Sequence, residues 1–315
     1  MKSRKRMKIL EINQPNFKLD DKGPFGLTVG NFDGVHQGHK DLLNRVREAT
    51  SKNGQKMIVM TFVPHPIKII KGATSFLLNT YSERRCLLES LGVDYLLEIH
   101  FSRDLSTLSP EKFLDNYILS IEGVKGLYLG YDFAFGSNKA GDHEFVTNYC
   151  KGKCTVEIQP EFKMNGDDVS SSVIRNYLTN GDVLNANKCL GRDHFISGRV
   201  VKGAGRGRQI GIPTANIGFD TDLIVPKRGV YITKTKYKDQ LYFSVTNIGK
   251  NPTFKSDEST SVETHLLDFD NDIYGDEISV YFLDRIRDEK KFDSVNELIS
   301  QIKKDVVTAR EHFKL

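Results

Sequence analysis

In the first half of the chain, short and nearly continuous apolar runs alternate with stretches whose apolar positions recur every three or four residues. The runs at 26–30, 57–62, 95–101 and 126–133 have the length and composition of buried strands. Residues 40–52, 80–91 and 110–121 between them have helical spacing, and Ser109-Pro110-Glu111 is a good start for the last helix. Strands that alternate with helices predict a parallel, doubly wound sheet. A further strand over 155–160 leads through a polar loop to helices near 170–179 and 182–190.

The texture changes after Cys189-Leu190-Gly191. Segments 194–201, 229–237, 240–249, 261–269 and 277–284 are rich in Val, Ile, Tyr, Phe and Thr, and no helix separates them. Closely spaced strands of this kind predict an antiparallel barrel. An amphipathic helix closes the chain, with Val295, Leu298, Ile299, Ile302, Val306 and Phe313 on one face. The expected fold class is α/β plus β: a Rossmann-like module over 1–185, then a β-barrel module with a terminal helix over 186–315. No internal repeat relates the two halves.

Composition narrows the picture only a little. The 315 residues hold 38% hydrophobic positions, enough to bury a core in each of two domains. Lys and Arg number 45 against 41 Asp and Glu, a net charge of +4. So small an excess suits anionic-substrate sites and argues against a nucleic-acid-binding face. The basic stretch Met1–Met7 has no apolar segment after it, so it is not a secretory signal, and no apolar run is long enough to span a membrane. Cysteines 86, 150, 154 and 189 form no C-x-x-C pair. Cys150 and Cys154 could share a metal, although further ligands are missing; reduced thiols and a cytoplasmic location are the expectation.

The densest chemistry lies in Gly30-Asn31-Phe32-Asp33-Gly34-Val35-His36-Gln37-Gly38-His39, between a strand and a helix. Backbone N–H groups at a helix start bind phosphate, and two imidazoles in the first turn can direct N–H donors to one spot. The string resembles the H-x-G-H signature of nucleotidyltransferases, in the G-x-F-D-G-x-H-x-G-H form of bacterial FAD synthetases. Thr61-Phe62-Val63-Pro64-His65-Pro66 resembles the T-F-x-P-H-P of that family, and Gly130-Tyr131-Asp132-Phe133-Ala134-Phe135-Gly136 its G-x-D-F-x-F-G. Val169-Ser170-Ser171-Ser172-Val173-Ile174-Arg175 resembles its I-S-S-T-x-I-R, with Ser172 in place of the usual threonine.

The resemblance implies adenylyl transfer, in which an FMN phosphate attacks the α-phosphorus of ATP and pyrophosphate leaves. It implies catalytic roles for His36 and His39, with Asn31, Ser171, Ser172 and Arg175 on ATP. Phe62, Pro64, His65, Asp132 and Phe135 fall to the flavin half of the site. Taken singly, each string has a structural reading too: a strand-ending loop, core aromatics or a helix cap.

A second concentration spans residues 198–216, where Lys202, Arg206 and Arg208 lie among glycines and Pro213-Thr214-Ala215-Asn216 follows. No Gly-Lys-Ser/Thr closes it, so it is not a Walker loop. Alone it is equally a linker or a nucleic-acid contact. The P-T-A-N string resembles that of riboflavin kinases, and the similarity continues through Gly229-Val230-Tyr231, Asn247-Ile248-Gly249, Val262–Phe269 and Arg285–Phe292. It implies that Lys202, Gly203, Arg206, Arg208 and Pro213 bind ATP and that Thr214 and Asn216 hold Mg²⁺. Glu263 becomes the general base for the riboflavin 5′-hydroxyl, and Arg287 a flavin-side residue. The expected partners are riboflavin, FMN and ATP, without nucleic acid or membrane. The alternatives are a non-catalytic flavin- or nucleotide-binding protein, or another H-x-G-H enzyme such as a class I aminoacyl-tRNA synthetase fragment. The second would need a K-M-S-K-S-like loop, which is missing.

Overall fold

The computed structural model describes residues 6–136, 140–203, 207, 211–250 and 260–314. The chain divides into two units, Met1–Thr74 with Asn79–Val169, and Ser75–Leu78 with Ser170–Leu315.

The first unit runs β1 (Lys8–Ile12), β2 (Phe25–Val29), α1 (Gln37–Lys52), β3 (Lys56–Val63), α2 (Pro66–Lys71), α3 (Tyr81–Ser90) and β4 (Tyr95–His100). It continues through α4 (Arg103–Ser106), α5 (Pro110–Phe113), a π-helical stretch Leu114–Leu119, β5 (Val124–Gly130), α6 (His143–Tyr149) and β6 (Thr155–Gln159). A short hairpin, β7 (Lys163–Met164) and β8 (Asp167–Asp168), follows. Six strands form one parallel sheet in the order β1-β4-β3-β2-β5-β6.

Alternation along β3 shows why the sheet is covered on both faces. Ile58 and Met60 join the core cluster of Leu27, Leu97 and Leu127, whereas Met57 and Val59 pack with Leu43 and Val46 of α1 and Leu88 of α3. Strand β2 has β3 on one side and β5 on the other, so the order reverses there. Ligands of open α/β sheets bind at the carboxyl ends of strands beside such a reversal. The edge strand β1 went unread because Lys-Ile-Leu-Glu-Ile buries only Ile12. The expected strand 126–133 stops at Gly130, where the Phe133 N–H bonds back to the Gly130 carbonyl in a turn.

The second unit begins with α7 (Ser171–Asn180) and α8 (Val183–Leu190). The 185/186 boundary read from the sequence cuts α8. In the structure both helices group with the barrel, because the Asn187 amide donates to Phe282 O at 2.8 Å and Lys227 N donates to Leu178 O at 2.9 Å. Six strands then close the barrel: β9 (His194–Val201), β10 (Ala215–Gly218), β11 (Gly229–Tyr237), β12 (Gln240–Lys250), β13 (Thr260–Leu266) and β14 (Glu277–Arg287). Their order is β10-β13-β12-β11-β14-β9, with β9 paired to β10 and every pair antiparallel.

Hydroxyls of Thr233, Thr235, Ser244, Thr246 and Thr264 fill part of the barrel interior, bonded to one another at 2.8–3.3 Å. Mutual bonding satisfies groups that would otherwise be costly to bury. The terminal helix α9 (Val295–Phe313) packs Val306, Ala309 and Phe313 on the outer face, against Val230, Ile232 and Val245. Val295, expected on that packed face, is exposed.

Candidate active sites in the two units

In the first unit the loop after β2 holds two strained residues, Phe32 at φ 48° and Val35 at φ 39°. A β-branched residue at positive φ is a true outlier and marks a turn that its surroundings hold in place. Gly34 N donates to the buried Asn79 amide oxygen at 2.7 Å. The turn ends at His36, the N-cap of α1, whose Nδ1 accepts from His39 N at 3.3 Å. An accepting Nδ1 leaves the proton of a neutral ring on Nε2, so His36 is set as an Nε2–H donor.

The His36 and His39 rings stack with centroids 3.6 Å apart, and the Phe32 ring meets His39 edge-on at 5.2 Å. Burial, reinforced by His36, holds His39 well below the ordinary histidine range, so its ring is neutral. His39 Nδ1 is inaccessible and has no hydrogen-bond partner among the described residues. A Cβ at Gly38 would come within 3.3 Å of the His36 ring, a tight contact that a larger residue would relieve only by shifting its neighbours.

Two further loops leave the same edge of the sheet. After β3, Pro64 follows a cis peptide bond and His65 caps α2, its Nδ1 accepting from Ile67 N at 3.2 Å. Phe62 packs edge-on to Phe101 and also against Phe113, which in turn meets Phe135 beyond β5 at 5.0 Å. Asp132 is exposed in the turn after β5. Asn31 is exposed as well, but its carbonyl accepts from Thr61 Oγ1 at 3.2 Å and from Arg84 Nη1 at 3.0 Å.

Ser171, Ser172 and Arg175 belong to the second unit. Ser170, not either of them, caps α7 through a bond from Val173 N. Arg175 Nε donates to the Phe76 carbonyl at 2.7 Å, and its guanidinium lies over the Phe76 ring.

The barrel site follows from strand register. Asn216 of β10 pairs with Glu263 of β13, Glu263 with Asn247 of β12, Asn247 with Val230 of β11, and Val230 with Arg287 of β14. Directly paired residues share a face, so one row crosses five strands on the outer wall that α9 covers. The row lines a cavity of about 1350 Å³, together with Lys202, Gly203, Pro213 and Thr214, and with Leu298, Ile302 and Asp305 of α9. All seven expected barrel-site residues that the structure describes therefore meet in one place; Arg206 and Arg208 lie outside the described residues.

Close packing fixes this constellation. A Cβ at Gly203 would fall 2.2 Å from the Asn216 amide nitrogen, so any larger residue there would displace the Asn216 side chain. The His265 ring bonds the Pro213 carbonyl at 2.7 Å, tying the Pro-Thr-Ala-Asn segment to β13. Asp305 accepts from Arg287 Nε at 3.0 and 3.1 Å and from Nη2 at 2.7 Å, while Gln301 donates to the same carboxylate at 2.9 Å. Such a fork-on-carboxylate arrangement fixes the plane of the guanidinium as well as its place.

Residues 19–173 match the FAD synthetase family model and residues 190–313 the riboflavin kinase model. A bifunctional riboflavin kinase/FMN adenylyltransferase from Bacillus subtilis (strain 168) is 35% identical over 312 residues, 98% of each chain. The protein of that name from Escherichia coli (strain K12) is 35% identical over 292 residues, 92% of this chain and 93% of its own. The chain belongs to the bifunctional riboflavin kinase/FMN adenylyltransferase family. A crystal structure described as a macrolide-efflux protein from Streptococcus pneumoniae shares the fold at a TM-score of 0.82. It is 34% identical and covers 93% of this chain and 98% of its own. The efflux description is that protein's own; among the described residues here, no helix is long and apolar enough to cross a membrane.

Both family resemblances read from the sequence are borne out, as are the parallel-sheet and barrel architectures. Four groups near the sites went unassigned: Arg84 and Glu98 beneath the first, Asn247 and Asp305 in the second. A carboxylate within the apolar run Tyr-Leu-Leu-Glu-Ile and another on the packed face of a helix were the available signals, since each must find a cation.

Among the described residues no cluster of three His, Cys, Asp or Glu side chains is placed to hold a metal, and none of the four cysteines is in a disulfide.

Proposed function

We propose that the barrel unit phosphorylates riboflavin to FMN and that the parallel-sheet unit adenylylates FMN to FAD, each with ATP. The family of the chain supports both reactions, and the enzyme reading displaces that of a non-catalytic binding protein. The observation that carries the assignment of residues is the single row from Asn216 through Glu263 and Asn247 to Arg287.

Glu263 is the general base of the kinase reaction, taking the proton of the primary alcohol as it attacks the γ-phosphorus. A positioned carboxylate contributes about 10²–10⁴ in rate. Lys202, Arg206 and Arg208 offset phosphate charge, and the Gly203 and Pro213 backbone lies against the nucleotide. Arg287, held rigid by Asp305, faces the flavin. Thr214 and Asn216 would hold Mg²⁺: a hydroxyl and an amide oxygen suit a hard cation that takes its other ligands from phosphates and water. When bound, the ion neutralises charge on the transferring phosphoryl group.

Adenylyl transfer needs no enzyme nucleophile, because the FMN phosphate itself attacks. His36 donates from Nε2 to the α-phosphoryl oxygens as charge grows, and the neutral His39 stacks behind it and keeps its ring plane. Asn31 contributes a further donor. Phe62, Pro64, His65, Asp132 and Phe135 are the flavin-side residues. Ser171, Ser172 and Arg175 keep their expected role on ATP phosphates. Four cysteines outside disulfides suit the reducing cytoplasm.

The test is a chromatographic time course of the full chain with riboflavin, ATP and Mg²⁺. FMN should appear first and FAD after it. FMN alone would remove the adenylyltransferase assignment, and the absence of any flavin product from folded protein would overturn both.

A further inference from the structure

Arg84 heads the fully buried side chains by size, with 2% of its surface exposed. A buried guanidinium needs a reason, since hydrophobic replacements of a buried ion pair are often as stable or more so. Its counter-ion Glu98 is just as buried and lies 3.4 Å from Nη2, while the other carboxylate oxygen takes Arg85 Nε at 3.0 Å. Burial pulls Arg84 down from the ordinary arginine range, and Glu98 opposes this.

What distinguishes Arg84 is the set of groups it joins. Nη1 donates to the Asn31 carbonyl at 3.0 Å, and both terminal nitrogens reach the Phe62 carbonyl at 3.5 Å. The guanidinium lies 4.9 Å over the Tyr81 ring, and the Tyr81 hydroxyl accepts from His65 N at 2.8 Å. Asn31 begins the strained turn that leads to His36 and His39, and Phe62 is the penultimate residue of the strand that leads to Pro64 and His65. A strained turn keeps its shape only where neighbouring groups restrain it. Here the restraint is one rigid fork that ties the ends of β2 and β3 together.

We propose that Arg84, anchored by Glu98, is a positioning residue for adenylyl transfer, fixing the histidine-bearing loop relative to the flavin-side loop. The inference rests on the assignment of that reaction to the parallel-sheet unit. Arg84 touches backbone rather than reacting atoms, so its loss misplaces donors without removing them. A misplacement of about 1 Å can cost about 10²-fold. The loss should fall on kcat rather than KM, because the interaction concerned is made in the transition state.

Arg84→Met, Arg84→Lys, Glu98→Gln and the double variant Arg84→Met/Glu98→Leu test this in the full-length chain. FMN adenylylation and riboflavin phosphorylation are measured on each preparation, alongside thermal unfolding. Arg84→Met should lower the adenylylation kcat about 10²-fold, with KM for ATP changed by less than about threefold and phosphorylation unchanged. Arg84→Lys, which keeps charge but not the fork, should recover part of the loss, and Glu98→Gln should fall between. The double variant removes the unpaired buried charge and should regain wild-type unfolding while adenylylation stays low. A double variant with wild-type adenylylation kcat would overturn the proposal. So would equal losses in both reactions, which mark a purely structural pair. Wild-type protein that forms no FAD would instead overturn the functional assignment beneath it.

Discussion

In the parallel-sheet unit the candidate residues cluster at and just beyond the carboxyl ends of β2, β3 and β5, mostly in loops. In the barrel unit the central ones stand on strands, one from each, and the ladder sets their spacing. A loop site gathers its chemistry into a few contiguous residues but needs support from beneath, which Arg84 supplies through the Asn31 and Phe62 carbonyls. A row on a closed barrel gets its support from backbone pairing on both sides. Its last member, the long side chain of Arg287, is held by Asp305. Loss of a supporting group should therefore be felt across a loop site and stay local on the barrel.

The sharpest test of that separation is reciprocal. Glu263→Gln should lower riboflavin phosphorylation about 10²–10⁴-fold and leave adenylylation of supplied FMN untouched. His36→Ala should lower adenylylation about 10²–10³-fold, by analogy with loss of an oxyanion donor, and leave phosphorylation untouched. Because His36 also caps α1, the alanine costs about 0.5–2 kcal/mol of stability as well. His36→Asn, which keeps a capping oxygen, should restore stability without restoring rate. A folded variant of either residue that lost both reactions would end the comparison of independent sites.

A smaller effect measures how local the barrel support is. Asp305→Asn keeps the shape of the partner but removes the charge that holds Arg287. About 2 kcal/mol of stability should go with the charge-assisted bonds, read as a shift in the denaturant midpoint. Riboflavin phosphorylation should lose about tenfold in kcat/KM, the equivalent of 1.4 kcal/mol at the transition state, with adenylylation unchanged. Unaltered kinase kinetics would mean that Arg287 is placed by the barrel alone.

The same contrast governs what could be read from sequence. Nearly continuous apolar runs in the first unit, closely spaced Val-, Ile-, Tyr-, Phe- and Thr-rich segments in the second, and apolar spacing of three to four residues were enough for the main strands and helices. Loop chemistry was legible too, as His36 and His39 fall within one short string. The barrel row was legible only in part: the Asn247-Ile248-Gly249 string was recognised, but only pairing with Glu263 puts Asn247 in the site. Arg84 at helical spacing reads as a solvated residue, and nothing local connects it to Glu98 in the next strand. Arg175 has its place on the ATP phosphates from the family resemblance. Its bond to the Phe76 carbonyl depends on a four-residue segment, Ser75–Leu78, that joins the second unit from far away in sequence.

Each unit also holds a histidine that its surroundings keep neutral, and the smallest effect at neutral pH separates their roles. His39 is kept neutral by burial and by His36, in a stack that belongs to the loop site. His194 is pushed down to about 3 by burial and by Arg192; it lies against Phe282, and its Nε2 has no hydrogen-bond partner among the described residues. A folded-state value below the unfolded one means that the unfolded chain binds the proton first as pH falls. The contribution of His194 to stability is therefore full above about pH 6.5 and is lost as acid is added, down to about 3. The slope is about 1.4 kcal/mol per pH unit, so about 2 kcal/mol should be lost between pH 7 and 5. His194→Asn, which retains a donor for the Ile224 backbone, should flatten the dependence by that amount in urea unfolding followed at the two pH values. It should leave riboflavin phosphorylation at pH 7 unchanged, because His194 does not line the cavity. An undiminished pH dependence in the variant would show that His194 titrates normally. Acid sensitivity would then have to be sought in the stacked histidines of the loop site.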